Sequence, residues 1–236
     1  MDDMFPVAIL AGGLATRLRP LTETIPKALI EINDEPFIVH QLRLLKQRGI
    51  ERVVLCVGYL GEMIQETVGA GDKFGIEVLY SFDGAKLLGT AGAIKKALPL
   101  LGDNFFVMYG DSYLPVNFAE VQQSYLKQRK QGLMTVFYNQ GQWDTSNVEY
   151  SAGQIIAYDK LHLTKAMHYI DYGLGVFNQE ALGSDKVTDL AQLYQSLLQK
   201  QQLAAFEVKE RFYEIGSFAG IQELEHYLLT NIEEIK

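Results

Sequence analysis

Chemistry in this sequence is concentrated in two short stretches. In the first, Val7 to Leu29, five apolar residues run into the pair Gly12-Gly13, and the next sixteen residues carry Arg17, Arg19 and Lys27. From Thr16 to Ile30 these three bases meet a single acid, Glu23, although the whole chain carries a formal charge of −8. Glycines at a strand exit let backbone N–H groups approach an anion closely, so a bound phosphate belongs here. The second stretch is Gly110-Asp111-Ser112, where an apolar run ends on a carboxylate. An aspartate there is, on its own, also a common turn former. Neither G-x-G-x-x-G nor G-x-x-x-x-G-K-[ST] occurs, which removes the main support for a dinucleotide site or a P-loop.

The elements that must position these residues follow from hydrophobic periodicity. Pro6 to Leu10, Arg52 to Gly58 and Asn104 to Gly110 are short, nearly all-apolar runs, the pattern of strands covered on both faces. Helical patterns lie between and after them: Phe37 to Gln47, Glu62 to Val68, Ala91 to Leu98 and Phe118 to Gln131. This alternation implies an α/β fold, a mainly parallel, Rossmann-like mixed sheet flanked by helices. After Gly132 come four strand-like pieces without intervening helices, then helices over Asp189 to Gln201, with Thr188 as N-cap, and Phe218 to Ile232. No repeat or low-complexity linker divides the chain. The expectation is one domain, 1–236, with 1–132 forming one half and 133–236 extending the same sheet. In open α/β sheets ligands bind beyond the carboxyl ends of the strands, which brings together Gly12-Gly13, Gly58 and Gly110-Asp111.

Composition narrows the function classes. With 21 basic against 29 acidic residues and no basic stripe, nucleic acid is not an expected partner. No run approaches the roughly 18 apolar residues of a membrane span, and the acidic start does not resemble a signal peptide. The single cysteine, Cys56, excludes an internal disulfide framework and suits a reducing, cytoplasmic setting. It lies in an apolar strand and reads as a buried, inert thiol. The four histidines show no metal spacing, and no Ser/His/Asp grouping emerges.

The stretch "GGLATRLRPLTETIPK", Gly12 to Lys27, resembles the signature of the sugar-1-phosphate nucleotidyltransferases, with Ala15 where a third glycine is usual. The resemblance continues through Leu87 to Ile94, Tyr109 to Ser112, Tyr158 to Lys160, Tyr169 to Phe177 and Phe212 to Ser217, and so covers nearly the whole chain in order. It implies attack of a sugar 1-phosphate on the α-phosphorus of a nucleoside triphosphate with release of pyrophosphate. Leu10, Ala11, Gly12, Gly13 and Gly89 would then bind the nucleotide. Arg17 would grip the leaving pyrophosphate, with Arg19 a weaker candidate, and Lys27 would bridge the α-phosphate and the sugar phosphate. Asp111 and Glu214 would hold Mg²⁺, Glu214 standing where the family usually has aspartate.

On the sugar side the resemblance assigns Lys160 to the sugar phosphate, Asp159 to a hydroxyl and Gly173 to the sugar ring, with Asn147 a further candidate and Asp171 in place of asparagine. The chain looks most like short single-domain enzymes using GTP with heptose- or mannose-type 1-phosphates, acting as a monomer or small homo-oligomer. A uridylyltransferase is the runner-up, because the Asp83 to Leu87 stretch departs from the family pattern. A catalytically silent, nucleotide-sugar-binding subunit of the same fold is the rival from another class. The retained Arg17, Lys27, Asp111 and Glu214 argue against it.

Overall fold

The computed structural model describes residues 3–183 and 187–231. Strands β1 (Val7–Leu10), β2 (Arg52–Val57), β3 (Glu77–Phe82) and β4 (Asn104–Tyr109) are parallel, side by side in the order β3-β2-β1-β4. Val7 sits opposite Val53 on one side and Phe106 on the other. The other strands of this sheet are β5 (Gly132–Tyr138), β6 (Val148–Ser151), β7 (Gln154–Tyr158), β8 (Tyr169–Asn178) and β9 (Leu203–Val208). β8 runs antiparallel to both β4 and β5, and β9 lies parallel to β5. The antiparallel β6–β7 pair joins the start of β8 at Val148 opposite Tyr169. A single nine-stranded mixed sheet therefore runs through both halves of the chain.

Among the described residues, α1 (Phe37–Gln47), α2 (Gly61–Val68), α3 (Gly89–Leu101), α4 (Phe118–Gln128) and α5 (Leu190–Gln199) cover the sheet, and α6 (Phe218–Thr230) packs against α1. Alternation along the strands decides what each face meets. Val7, Ile9, Phe106 and Met108 point towards α1, α2 and α4 in one buried cluster. Ala8, Phe105 and Val107 point the other way, towards α3 and α5. Strands apolar on both faces are thus what a helix–sheet–helix sandwich requires. Among the described residues no helix is long and apolar enough to cross a membrane.

Several helix ends differ from the sequence expectation. The cap of α5 is Asp189, whose carboxylate accepts from Ala191 N at 2.7 Å. Thr188 is not the cap; its carbonyl accepts the Ala91 N–H at 3.0 Å. Helix α4 stops at Gln128 because Arg129 turns left-handed at φ +51°. The proposed end of the last helix at Ile232 lies outside the described residues.

A third cluster ties α6 to the site. Leu224 and Leu228 pack with Leu44 of α1, Leu18, Tyr113 and Ile215. Beside it Tyr213 and Glu214 pair as a short antiparallel ribbon with Tyr113 and Ser112. Leu224 is fully buried, so Leu224→Ala is expected to lower unfolding free energy by about 2–4 kcal/mol, measured by urea denaturation. A loss within about 0.5 kcal/mol, the range of a surface substitution, would mean that α6 does not anchor this edge.

Candidate active site

A cleft of about 240 Å³ opens where β1, β2 and β4 end. Its walls include the Leu10–Gly13 loop, Lys27, Asp83, Gly89 and Asp111. All five residues expected to bind nucleotide, Leu10, Ala11, Gly12, Gly13 and Gly89, line this one space. The floor is backbone: Ala11 N–H donates to Cys56 O at 2.9 Å, and Gly110 N–H to Leu10 O at 3.0 Å. A Cβ on Gly110 would stand 2.5 Å from Leu10 O and 2.9 Å from Ala11 Cα, so only glycine lets the strand exits converge. Gly89 is required for a different reason. It has φ +73°, and a Cβ there would meet Thr188 O at 2.4 Å. The Cys56 thiol also faces the cleft, but burial, aided by the Asp83 carboxylate, pushes its pKa up to about 12. It remains a protonated wall group at neutral pH.

Ala15 does adopt the left-handed conformation of the glycine it replaces, at φ +48°, ψ +43°. Thr22 Oγ1 donates to its carbonyl at 2.8 Å and Leu18 N at 3.1 Å, bonds that hold the strained residue in place. The loop therefore keeps its shape with alanine in it. Beyond it Arg17 and Arg19 are exposed. Arg17 turns towards Gly216: its Nη2 lies 3.0 Å from where a Gly216 Cβ would be, and Glu214 Oε2 lies 2.2 Å from the same point. Lys27 opens a short turn, Lys27–Leu29, whose Ala28 is buried. From there Lys27 Nζ reaches Asp111 Oδ2 at 2.9 Å, with the two side chains only 15% and 30% exposed.

The structure brings Asp111 and Glu214 together. Ser112 is opposite Glu214 in the ribbon, and Ile215 N–H donates to Asp111 O at 2.9 Å. The Glu214 carboxylate also serves its own turn, accepting from Gly216 N at 2.6 Å and Ser217 Oγ at 3.2 Å. Among the described residues no three His, Cys, Asp or Glu side chains form a ready cation cage. Mg²⁺ needs no such cage, since it binds through one or two carboxylates and completes its shell with phosphate and water oxygens. Two carboxylates on adjoining backbone fit that donor set.

Of the residues expected to meet the sugar phosphate, Lys160, Asn147 and Gly173 converge around Asp171. Lys160 Nζ donates to Tyr109 O–H oxygen at 3.2 Å and lies 3.7 Å from Asp171 Oδ2. Asn147 Oδ1 accepts Asp171 N–H at 2.9 Å, and Gly173 N–H donates to Asp171 Oδ1 at 3.1 Å. Asp159 holds a local turn. Its carboxylate accepts Leu161 N at 2.7 Å and His162 N at 2.9 Å, and these bonds lower its pKa. Two site residues carried no assigned role in the sequence. Tyr109 precedes Gly110 and lines the cleft; Asp83 lines it opposite, with Oδ2 accepting Leu88 N–H at 3.1 Å. An aromatic residue and an acid beside glycines were the available signals.

Comparison with known proteins gives the family and the fold. The family described as Nucleotidyl transferase matches residues 7–204, and the chain belongs to that family. Over 117 residues, 49% of the chain and 51% of the relative, it is 40% identical to N-acetylmuramate alpha-1-phosphate uridylyltransferase of Neisseria meningitidis serogroup B. It is 29% identical over 217 residues to the mannose-1-phosphate guanylyltransferase catalytic subunit beta of Xenopus tropicalis, covering 88% of this chain and 60% of that one. The chain thus spans between half and two thirds of the length of these relatives. In fold it is similar to a putative glucose-1-phosphate thymidylyltransferase from Bacillus anthracis, with TM-score 0.83 and 18% identity over 94% of each chain. HddC from Yersinia pseudotuberculosis gives TM-score 0.81 at 22% identity over 95% of this chain and 100% of that one.

The two backbone positions make opposite predictions. Ala15→Gly relieves the left-handed strain and is expected to raise stability by up to about 1 kcal/mol. Gly110→Ala is expected to cost more than about 2 kcal/mol, because the clash is with main chain. Thermal and urea unfolding of both variants checks this, and loss of stability in Ala15→Gly would show that the turn is not strained.

Proposed function

We propose that the chain transfers a nucleotidyl group from a nucleoside triphosphate to a sugar 1-phosphate, giving a nucleotide sugar and pyrophosphate. The observation that carries the reading is the Lys27–Asp111 contact at 2.9 Å inside a glycine-floored cleft at the carboxyl edge of the sheet. An ammonium and a carboxylate held there match a phosphate and the cation that accompanies it.

In this reading the Leu10–Gly13 loop and Gly89 hold the nucleotide, and Lys27 faces the α-phosphate. An oxygen of the sugar phosphate attacks the α-phosphorus, a new P–O bond forms, and the bond to the β-phosphate breaks. Negative charge grows on the departing pyrophosphate. Arg17, exposed and turned towards Gly216, supplies a planar guanidinium able to grip two of its oxygens. No covalent enzyme intermediate is needed, so positioning and charge neutralisation do the work. Asp111 and Glu214 would hold Mg²⁺, which supplies further neutralisation of the phosphates when bound. Lys160 receives the sugar phosphate, with Gly173 beside the ring. The Lys27–Asp111 pair also speaks against a silent subunit, for which it has no use. A lone buried thiol and an acidic surface suit a reducing, cytoplasmic setting and no nucleic-acid partner.

For the base we favour guanine. Asp83 offers only acceptors, and one oxygen is already fixed by Leu88 N–H. Guanine presents two adjacent N–H groups on one edge, whereas uracil presents one between two carbonyls. The sugar partner in this reading is a mannose- or heptose-type 1-phosphate. UTP is the second reading, supported by the 40% identity to a uridylyltransferase over half the chain.

Pyrophosphate release across nucleotides and sugar 1-phosphates tests both readings. GTP with a mannose-configured sugar 1-phosphate is expected to give the highest kcat/KM. Asp83→Asn is expected to erode the preference for GTP over UTP by about tenfold or more. A wild-type preference for UTP would establish the second reading. Lys27→Ala is expected to cut kcat by about 100-fold while changing nucleotide affinity much less, because charge builds there during the displacement. Equal losses in kcat and affinity would reduce Lys27 to a binding group.

A further inference from the structure

Lys160 touches its neighbours at unequal distances, and the inequality is informative. Its Nζ donates to the Tyr109 hydroxyl at 3.2 Å and lies 5.0 Å from the centre of that ring. It stops 3.7 Å from Asp171 Oδ2, beyond hydrogen-bond range. The lysine–aspartate pair that lines the cleft, Lys27 with Asp111, closes to 2.9 Å. Yet the Asp171 side chain is only 2% exposed, while Lys160 is 42% exposed on a flexible stem. Attraction strengthens as the local dielectric falls, so the lysine has every electrostatic reason to close on this carboxylate.

Asp171 cannot come to meet it. Its N–H is taken by Asn147 Oδ1, its Oδ1 by Gly173 N–H, and its Oδ2 by the Tyr158 hydroxyl at 3.4 Å. It sits at an irregularity in the pairing of β8 with β5, between Asp171 and Gly175. The group set beside both charges is the Tyr109 phenol. A phenol carries no charge at physiological pH, its ordinary pKa being about 10. It neither adds charge nor yields its place.

We propose that Tyr109 is a positioning residue: its hydroxyl holds the Lys160 ammonium off Asp171 and so keeps that charge free for the sugar phosphate. The inference rests on Lys160 receiving the sugar phosphate. Without the hydroxyl the ammonium falls onto Asp171 as a contact pair, and an incoming phosphate must break that pair to bind.

Steady-state pyrophosphate release tests this with wild type, Tyr109→Phe, Asp171→Asn and the double variant. Tyr109→Phe is expected to raise the KM for sugar 1-phosphate about fivefold or more, leaving the nucleotide KM within about twofold. Asp171→Asn keeps an acceptor for Gly173 N–H and removes the competing charge, so its sugar KM is expected at or below the wild-type value. The double variant is expected to recover to within about twofold of Asp171→Asn, a non-additive cycle. Additive losses, a matching rise in both KM values, or a sugar KM raised in Asp171→Asn would overturn the proposal. If wild type turns over but Tyr109→Phe leaves the sugar KM unchanged, this inference fails alone. No turnover by wild type with any pairing overturns the functional reading and this inference with it.

Discussion

The site depends on how closely the exits of β1 and β4 approach. Gly110 N–H reaches Leu10 O at 3.0 Å, and there is no room for a side chain between them. Because β4 is pinned there, Asp111 emerges directly beside the Leu10–Gly13 loop, within reach of a lysine that leaves β1 only seventeen residues later. A wider spacing would separate the carboxylate from Lys27 and open the floor of the cleft to water. The rest of the architecture serves this approach. Helix layers on both faces bury the strands, and α6 braces the ribbon that returns Glu214 to the same edge.

Electrostatics at this edge is arranged as lysine–carboxylate pairs in a chain that is acidic overall. Each pair lowers the cost of keeping an ammonium in a partly desolvated cleft, since an isolated buried charge is expensive. Each also reduces the field offered to an anionic ligand. The two pairs resolve this tension differently. Lys27 and Asp111 are in contact, and a cation drawn to Asp111 would release the lysine towards phosphate. Lys160 and Asp171 are held apart, with a neutral phenol at hand.

Much of this was legible in the sequence, for identifiable reasons. Runs apolar on both faces mark buried parallel strands, and a helix as regular as Phe37–Gln47 falls where its periodicity puts it. Backbone-built features also travel well, so the loop residues and Gly89 lie on one cleft. What spacing does not show is local competition among polar groups. Asp159 and Glu214 carry oxygens that nearby N–H and O–H donors claim within three residues, and spacing alone does not reveal such bonds. Thr188 and Asp189 are equally good caps, and the carbonyl contact with Ala91 decides between them. Ala15 shows the reverse case, in which a residue that disfavours positive φ accepts it because Thr22 and Leu18 bond to its carbonyl.

Strand β4 has a further property that neither half of the chain has alone. It borders the parallel β1 on one side and the antiparallel β8 on the other. Its exit sends successive groups to different partners: Tyr109 to Lys160 from the second half, and Asp111 to Lys27 from the first. Only Gly110, fixed by Leu10 O, lies between them. The two lysines are therefore referenced to one short, rigid piece of backbone, although their own segments are more than a hundred residues apart. A displacement of that piece would move both perches together, so in the proposed reaction the two phosphates would be registered against a single strand end. Precision of this kind is easier to keep on a central strand than on a pair of loops, and it accounts for placing the reacting groups at the junction of the two halves.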